Sequence, residues 1–277
     1  MKGIVPDSPS CPPPAPTAPS YLLEGRYLGV DFIGRGELAD VFSGTDTWSG
    51  ELVAVHRLRV DRGGQRAAFR RRAERLFGLT SAHVVRAIAT GDDRDGNPYL
   101  ITELLIGRAV DKLVRVRWEV ACEITRLAAL AVAEMHVNGL QHGALVARSF
   151  FVASSSDGGP RVKLLDLGVG DRTATAAKDR RALAAILHRM LLGTPPLPVK
   201  AGAPPPVVRL ADAPDELGVW LGQWLAAPDD DPTASPTEIA AALRKLLDPE
   251  GERIDGDRES APMPELLVFP KNYVKLT

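Results

Sequence analysis

An α+β chain is what this sequence predicts: a small antiparallel sheet with one helix, followed by a mainly helical half. Three observations carry that reading. Short strands separated by turn residues occupy 27–60 and return at 85–103. A strongly charged helical stretch, Gln65–Gly78, lies between them. From Trp118 onward, apolar residues recur mostly at helical spacing. With 277 residues, the chain is long enough for one large domain or two lobes with a sizeable core.

Composition narrows the function classes. Hydrophobic content is 45% and charged content 25%, ordinary for a globular protein. A net charge of −1 gives no global field that favours nucleic acid or a membrane surface. Two cysteines, Cys11 and Cys122, make no disulfide framework and fit a reducing compartment. No apolar run approaches the roughly 20 residues a membrane span needs. The N-terminal stretch lacks the apolar core of a secretory signal, so a cytoplasmic location is expected. Heavy use of Ala, Arg, Gly and Pro points to a GC-rich bacterial genome.

In chain order, residues 1–20 carry seven prolines and little apolar content, which reads as an extended or disordered tail. Tyr27–Ile33 is a strand that breaks at Gly34-Arg35-Gly36. Ala39–Phe42 resumes, and Glu51–Val60 follows the turn Thr45–Gly50. In Leu52–Leu58 the even and odd positions face opposite ways. From Arg57 to Arg75 there are eight arginines against Asp61 and Glu74. They form either a solvated face or a docking patch. Without interleaved aromatics, an RNA site is not expected. Val85–Ala89 and Pro98–Glu103 pair across the turn Gly91–Asn97. Trp118–Asn138 is helical, and Gly139 terminates it. His136 and His142 have no Cys or carboxylate at ligand spacing and read as structural. Strands on either side of Ser155–Pro160 form a hairpin that leads to Asp166. Helices follow from Asp179, across Ala211–Ala227, and from Ser235 to Leu247. The last has a Ser N-cap, Pro at N1 and Glu at N3.

Several of these motifs, in this order, resemble the protein kinase family in its bacterial Ser/Thr form. Gly34-x-Gly36-x-x-Ala39-x-Val41 is similar to the glycine-rich loop, and the following strand contributes Ala54 to a nucleotide cleft. Thr102 falls at the gatekeeper place, and Glu103 to Leu105 at the hinge. His142-Gly143-Ala144 through Ser149 resembles the catalytic loop, and Asp166-Leu167-Gly168 the metal-binding loop. The helix from Asp179 to the Gly193-Thr194-Pro195-Pro196 turn resembles the central large-lobe helix. The resemblance covers residues 25–248 and implies a two-lobed protein-kinase-like fold. Its parts are a Pro-rich tail at 1–22, an N-lobe at 23–106, a C-lobe at 107–248 and a C-terminal tail at 249–277.

The same resemblance exposes what is missing. The strand Lys is replaced by His56, and the helix Glu that would pair with it by Arg72. Glu74 lies about 200° further round the helix and cannot serve instead. The catalytic Asp is replaced by Ala144, the loop Lys by Val146 and the metal-binding Asn by Ser149. Only Asp166 is retained. Twelve residues separate it from Asp179, too few for an activation segment with its substrate platform. The resemblance therefore implies a pseudokinase, a catalytically inactive scaffold or allosteric regulator. No cofactor is expected, or at most a weakly held ATP with Mg²⁺ on Gly34, Gly36, Ala54, Thr102, Glu103, Leu105 and Asp166. Arg72 is expected to turn toward Asp166 and fill the phosphate and metal space. The partner would be a protein. Candidate surfaces are the arginine-rich helix, Asp229–Asp231, and the two tails, the last with an apolar Leu266–Pro270 motif. The alternatives are a nucleotide-binding switch without phosphotransfer or, further off, an enzyme with atypical nucleotide chemistry.

Overall fold

The computed structural model describes residues 21–154, 160–166, 175–200, 202–228, 231 and 234–251. The expected N-terminal tail, the Ser155–Pro160 turn up to residue 159, Leu167-Gly168, Asp229, Asp230 and the C-terminal motif lie outside them.

Alternation and turn chemistry build the first half. Strands β1 (Tyr21–Leu23), β2 (Tyr27–Arg35), β3 (Ala39–Asp46), β4 (Leu52–Leu58), β5 (Ala87–Asp92) and β6 (Pro98–Glu103) form an antiparallel sheet in the order β1-β2-β3-β4-β6-β5. Gly25 and Gly50, at φ of 70° and 75°, turn the chain between its first strands. Strand β4 shows why period-2 patterning matters. Val53 and Val55 join Leu23, Tyr27, Tyr99 and Ile101 on one face of the sheet. Ala54 and Leu58 belong to separate clusters on the other. Helix α1 (Arg66–Phe77) lays Phe69, Ala73 and Leu76 against that second face.

The second half is helical because its apolar residues recur every three to four positions. Helix α2 (Trp118–Val137) is the hub, packed against α3 (Ala176–Leu192) and α5 (Pro236–Leu247). Helix α4 (Asp215–Ala226) lies on α3. Ser235 caps α5 by accepting the Glu238 N–H at 3.2 Å, as its sequence predicts. A small second sheet, β7 (Gly107–Ala109), β8 (Phe150–Ser154) and β9 (Pro160–Leu164), joins the halves in the order β7-β8-β9. Val84 bridges to Leu164 in parallel, so the loop after α1 is tied to the strand that delivers Asp166. One apolar core runs from the underside of the first sheet, through α1, into α2, α3 and α5.

Two short strands, β1 and β7, escape sequence prediction. Three-residue segments carry no readable alternation, and their partners decide their state. The architecture is the two-lobed one expected: a curled sheet with one helix, above a helical lobe.

Candidate functional site

The site lies where the two lobes face each other. Its floor is the loop Gln141–Ser149, held from below by Asp179 near the start of α3. Asp179 is fully buried. Its Oδ2 accepts the His142 N–H at 2.8 Å, and its Oδ1 accepts the Gly143 N–H at 2.7 Å. His136 Nε2, from the end of α2, lies 3.0 Å from the same Oδ2. A buried carboxylate is retained only where donors offset its lost hydration, and here three converge. His136 is thus a loop support, and this part of the sequence expectation stands.

His142 itself is 4% exposed. The Ala144 N–H donates to its Nδ1 at 3.3 Å, which leaves the ring proton on Nε2. That nitrogen sits 2.8 Å from Asp166 Oδ1, off the line of a well-directed hydrogen bond. The loop therefore turns an imidazole, not a carboxylate, toward Asp166. Ala144, at the place where the sequence resemblance expects a proton acceptor, contributes a methyl group. Ser149 is buried, and its Oγ accepts the Val146 N–H at 3.3 Å, closing the loop on itself.

The roof comes from the first sheet. Gly34 pairs with Val41, and the Gly36 N–H donates to Ala39 O at 2.7 Å, so the glycine turn is a closed hairpin. A Cβ at Gly36 would stand 3.2 Å from that oxygen, close enough to push the turn open. Ile33, Val41 and Ala54 are buried together under it, with Leu104 alongside. His56 Nε2 lies 3.1 Å from the Thr102 hydroxyl. Burial pushes the His56 pKa down to about 4, against a smaller upward pull from Asp166. The ring is therefore neutral at pH 7 and brings no positive charge to the cleft.

Thr102 is 1% exposed, and its hydroxyl donates to Glu103 O at 3.2 Å. The Glu103 side chain accepts the Arg86 N–H at 2.9 Å and meets Lys163 Nζ at 2.5 Å, so it pins the hinge to β9. Leu105 packs into the large core, and it is Leu104 that lines the apolar slot. Sequence alone did not separate the two, because hinge residues follow no periodicity.

Helix α1 adds a contact that the sequence did not single out. Arg75, one turn beyond Arg72, reaches the loop: its Nη2 donates to Gln141 O at 3.2 Å. Burial lowers the Arg75 pKa, and the neighbouring Arg72 charge lowers it further, while Asp166 and Asp179 oppose both. Arg72 stands beside it with a buried Nε that has no hydrogen-bond partner. Arg75, at the C-terminal end of α1, lies over the loop. The other arginines are largely engaged nearby. Arg57 pairs with Asp93 at 2.6 Å, and Arg70 with Asp92 at 2.7 Å. Arg66 donates to Gly96 O at 2.9 Å.

Asp166 is the carboxylate that the described cleft would offer a magnesium ion, and a nucleotide's phosphates would have to complete the shell. Among the described residues, no group of three or more His, Cys, Asp or Glu stands close enough to hold a metal. One Asp166 oxygen faces an imidazole N–H, and the Ser149 oxygen is used within the loop. The arrangement leaves a small apolar cluster under the sheet and two guanidinium groups on α1 beside the loop. It offers no general base at 144.

Fold and loop together define a protein-kinase-like domain. The family model described as lipopolysaccharide kinase (Kdo/WaaP) matches residues 100–201. The chain is 35% identical over 101 residues to a probable serine/threonine-protein kinase PknB of Corynebacterium glutamicum, covering 34% of this chain and 16% of that protein. A probable serine/threonine-protein kinase of Streptomyces coelicolor is 27% identical over 175 residues, covering 60% of this chain and 25% of the relative. The chain thus spans a quarter or less of the length of these relatives. In three dimensions it resembles the PknI kinase domain of Mycobacterium tuberculosis, with TM-score 0.66 and 20% identity over 83% of this chain and 99% of that one. At that identity the likeness establishes the fold.

Among the described residues, no helix is long and apolar enough to cross a membrane.

Proposed function

We propose that this chain is a pseudokinase domain, a kinase frame that works through contacts with another protein and not through phosphate transfer. One observation carries the reading. Asp179 holds the His142 and Gly143 amides at 2.8 and 2.7 Å, so the loop that presents the reacting groups is built and in register. Within that fixed loop, position 144 is a methyl group. No misplacement of the chain can restore a proton acceptor there, and positioned acid–base groups contribute about 10²–10⁴-fold to such reactions. The neutral His56 and the cationic Arg72 support the same reading, since neither can form the ion pair that orders a nucleotide's phosphates.

Arg57, Arg66 and Arg70 are engaged by the Asp92–Asn97 turn, which weakens the arginine-rich helix as a docking patch. A nucleotide-binding switch is the second reading. The apolar slot of Ile33, Val41, Ala54 and Leu104 under a small Thr102 favours it. The protein's intact mass after incubation with ATP and Mg²⁺ or Mn²⁺ tests the main proposal. The mass is expected to stay unchanged. A phosphate adduct that forms on wild type and vanishes in Asp166→Ala would overturn it.

A further inference from the structure

Beyond α3 lies a stretch that belongs neither to the cleft nor to a helix. Gly193, in the left-handed region at φ 80°, ends α3. Thr194-Pro195-Pro196-Leu197-Pro198-Val199-Lys200 follows, and Pro195 to Lys200 forms no helix, strand or turn. Its prolines hold φ near about −65°. Thr194, Pro195 and Leu197 each precede a proline, which drives them toward extended backbone. The local sequence therefore specifies a polyproline II segment, with three residues per turn. Burial repeats at that period. Pro196 and Val199 are half-buried, and Val199 packs against the large core. Pro195, Leu197, Pro198 and Lys200 are exposed, Leu197 at 86%. Both ends are held. Thr194 O lies 2.9 Å from His188 Nδ1, and the Ala203 N–H donates to Lys200 O at 3.0 Å.

One edge of this three-sided helix thus rests on the domain, and two edges face solvent. Pro195 and Pro198 stand one turn apart on one of them, Leu197 and Lys200 on the other. Grooves that read proline segments contact two such edges. Aromatic walls take the proline rings and the apolar side chain beside them, and a carboxylate at one end takes the basic residue. A single exposed leucine is ordinary on a protein surface. What distinguishes this segment is the spacing Pro-x-x-Pro-x-Lys with its third edge already buried. A segment held in its binding conformation also loses little entropy on docking.

We infer that Pro195–Lys200 is a docking ligand for a protein module with an aromatic-lined proline groove ending in carboxylates, as in SH3 domains. This rests on the proposed function only in taking the partner to be a protein. Phosphate transfer is tested by the mass measurement above, so either reading can fail without the other.

Nuclear magnetic resonance of an isotope-labelled SH3 domain that selects Pro-x-x-Pro-x-Lys peptides, titrated with the full chain, tests the inference. Wild type is expected to shift the resonances of the groove aromatics. Affinity should fall about tenfold or more in Pro198→Ala and in Lys200→Glu. Pro204→Ala, at an exposed proline outside the motif, keeps wild-type affinity. These positions are exposed, so thermal melts of the three variants should match wild type, and lost binding then reports lost contact. The free peptide Thr194–Lys200 is expected to compete with the chain for the groove. Binding that survives both Pro198→Ala and Lys200→Glu overturns the inference and moves the ligand to the proline-rich stretch at 1–20. Binding by the peptide but not by the chain overturns it too, because the segment would then be closed off by its own domain. Absence of any shift with wild type overturns it as well.

Discussion

His56 shows how one residue sets the character of the cleft. Its pKa is pushed down from 6.5 to about 4, chiefly by burial. The unfolded chain therefore takes up a proton near pH 6.5 that the folded state refuses until about pH 4. The associated stability is present above pH 6.5 and is lost as pH falls toward 4. The ring keeps some accessible surface, so the loss is put at ~2 kcal/mol. Urea melts at pH 7 and pH 4.5 should show that slope in wild type and a shallower one in His56→Gln. Equal slopes would mean that the imidazole is solvated. At this scale the proposed substitutions are read from the sequence. Motif spacing places Ala144, Ser149, His56 and Arg72 without any coordinates. The 2.8 Å approach of His142 to Asp166 was not legible, nor was the part played by Arg75. Both depend on how α1 and the loop are packed, and no spacing rule reports that.

Elements carry two further predictions. The Gln141–Ser149 loop depends on Asp179, whose carboxylate takes two backbone amides and faces His136. Asp179→Ala leaves buried donors without an acceptor, and a loss of about 3 kcal/mol is expected in chemical denaturation. A loss under about 1 kcal/mol would show that water substitutes freely there. On α4, Gly218 and Gly222 face the carbonyls of Val208 and Pro206, closer than any Cβ tolerates. Gly222→Ala should therefore lower stability by ~1–3 kcal/mol despite its better helix propensity. A stabilised variant would mean that the 203–210 segment moves aside at no cost. Helix α3 adds Arg180, whose Nη2 donates to Ala227 O at 2.9 Å and Pro228 O at 2.6 Å. It ties down the end of α4, where the sequence offers no arginine of its own. The sequence showed both helices by their apolar periodicity. It did not show Arg180 as their clamp, since a guanidinium in an arginine pair reads as surface until its acceptors are located.

Across the whole molecule, the fold was predictable because its levels agree. Alternation in β4, helical periodicity from Trp118, capping at Ser235 and glycine turns all specify the same architecture. The frame that positions reacting groups is kept, from the anchored loop to the hinge that Glu103 pins to β9. On the reading proposed above, what has changed is the set of groups in the frame. Release of ADP from ATP is the most direct test of that claim, because it registers turnover whatever the acceptor is. Wild type with Mg²⁺ or Mn²⁺ should release ADP no faster than Asp166→Ala. Turnover in the wild type that Asp166→Ala abolishes would contradict it, and would make the cleft a working phosphotransfer site.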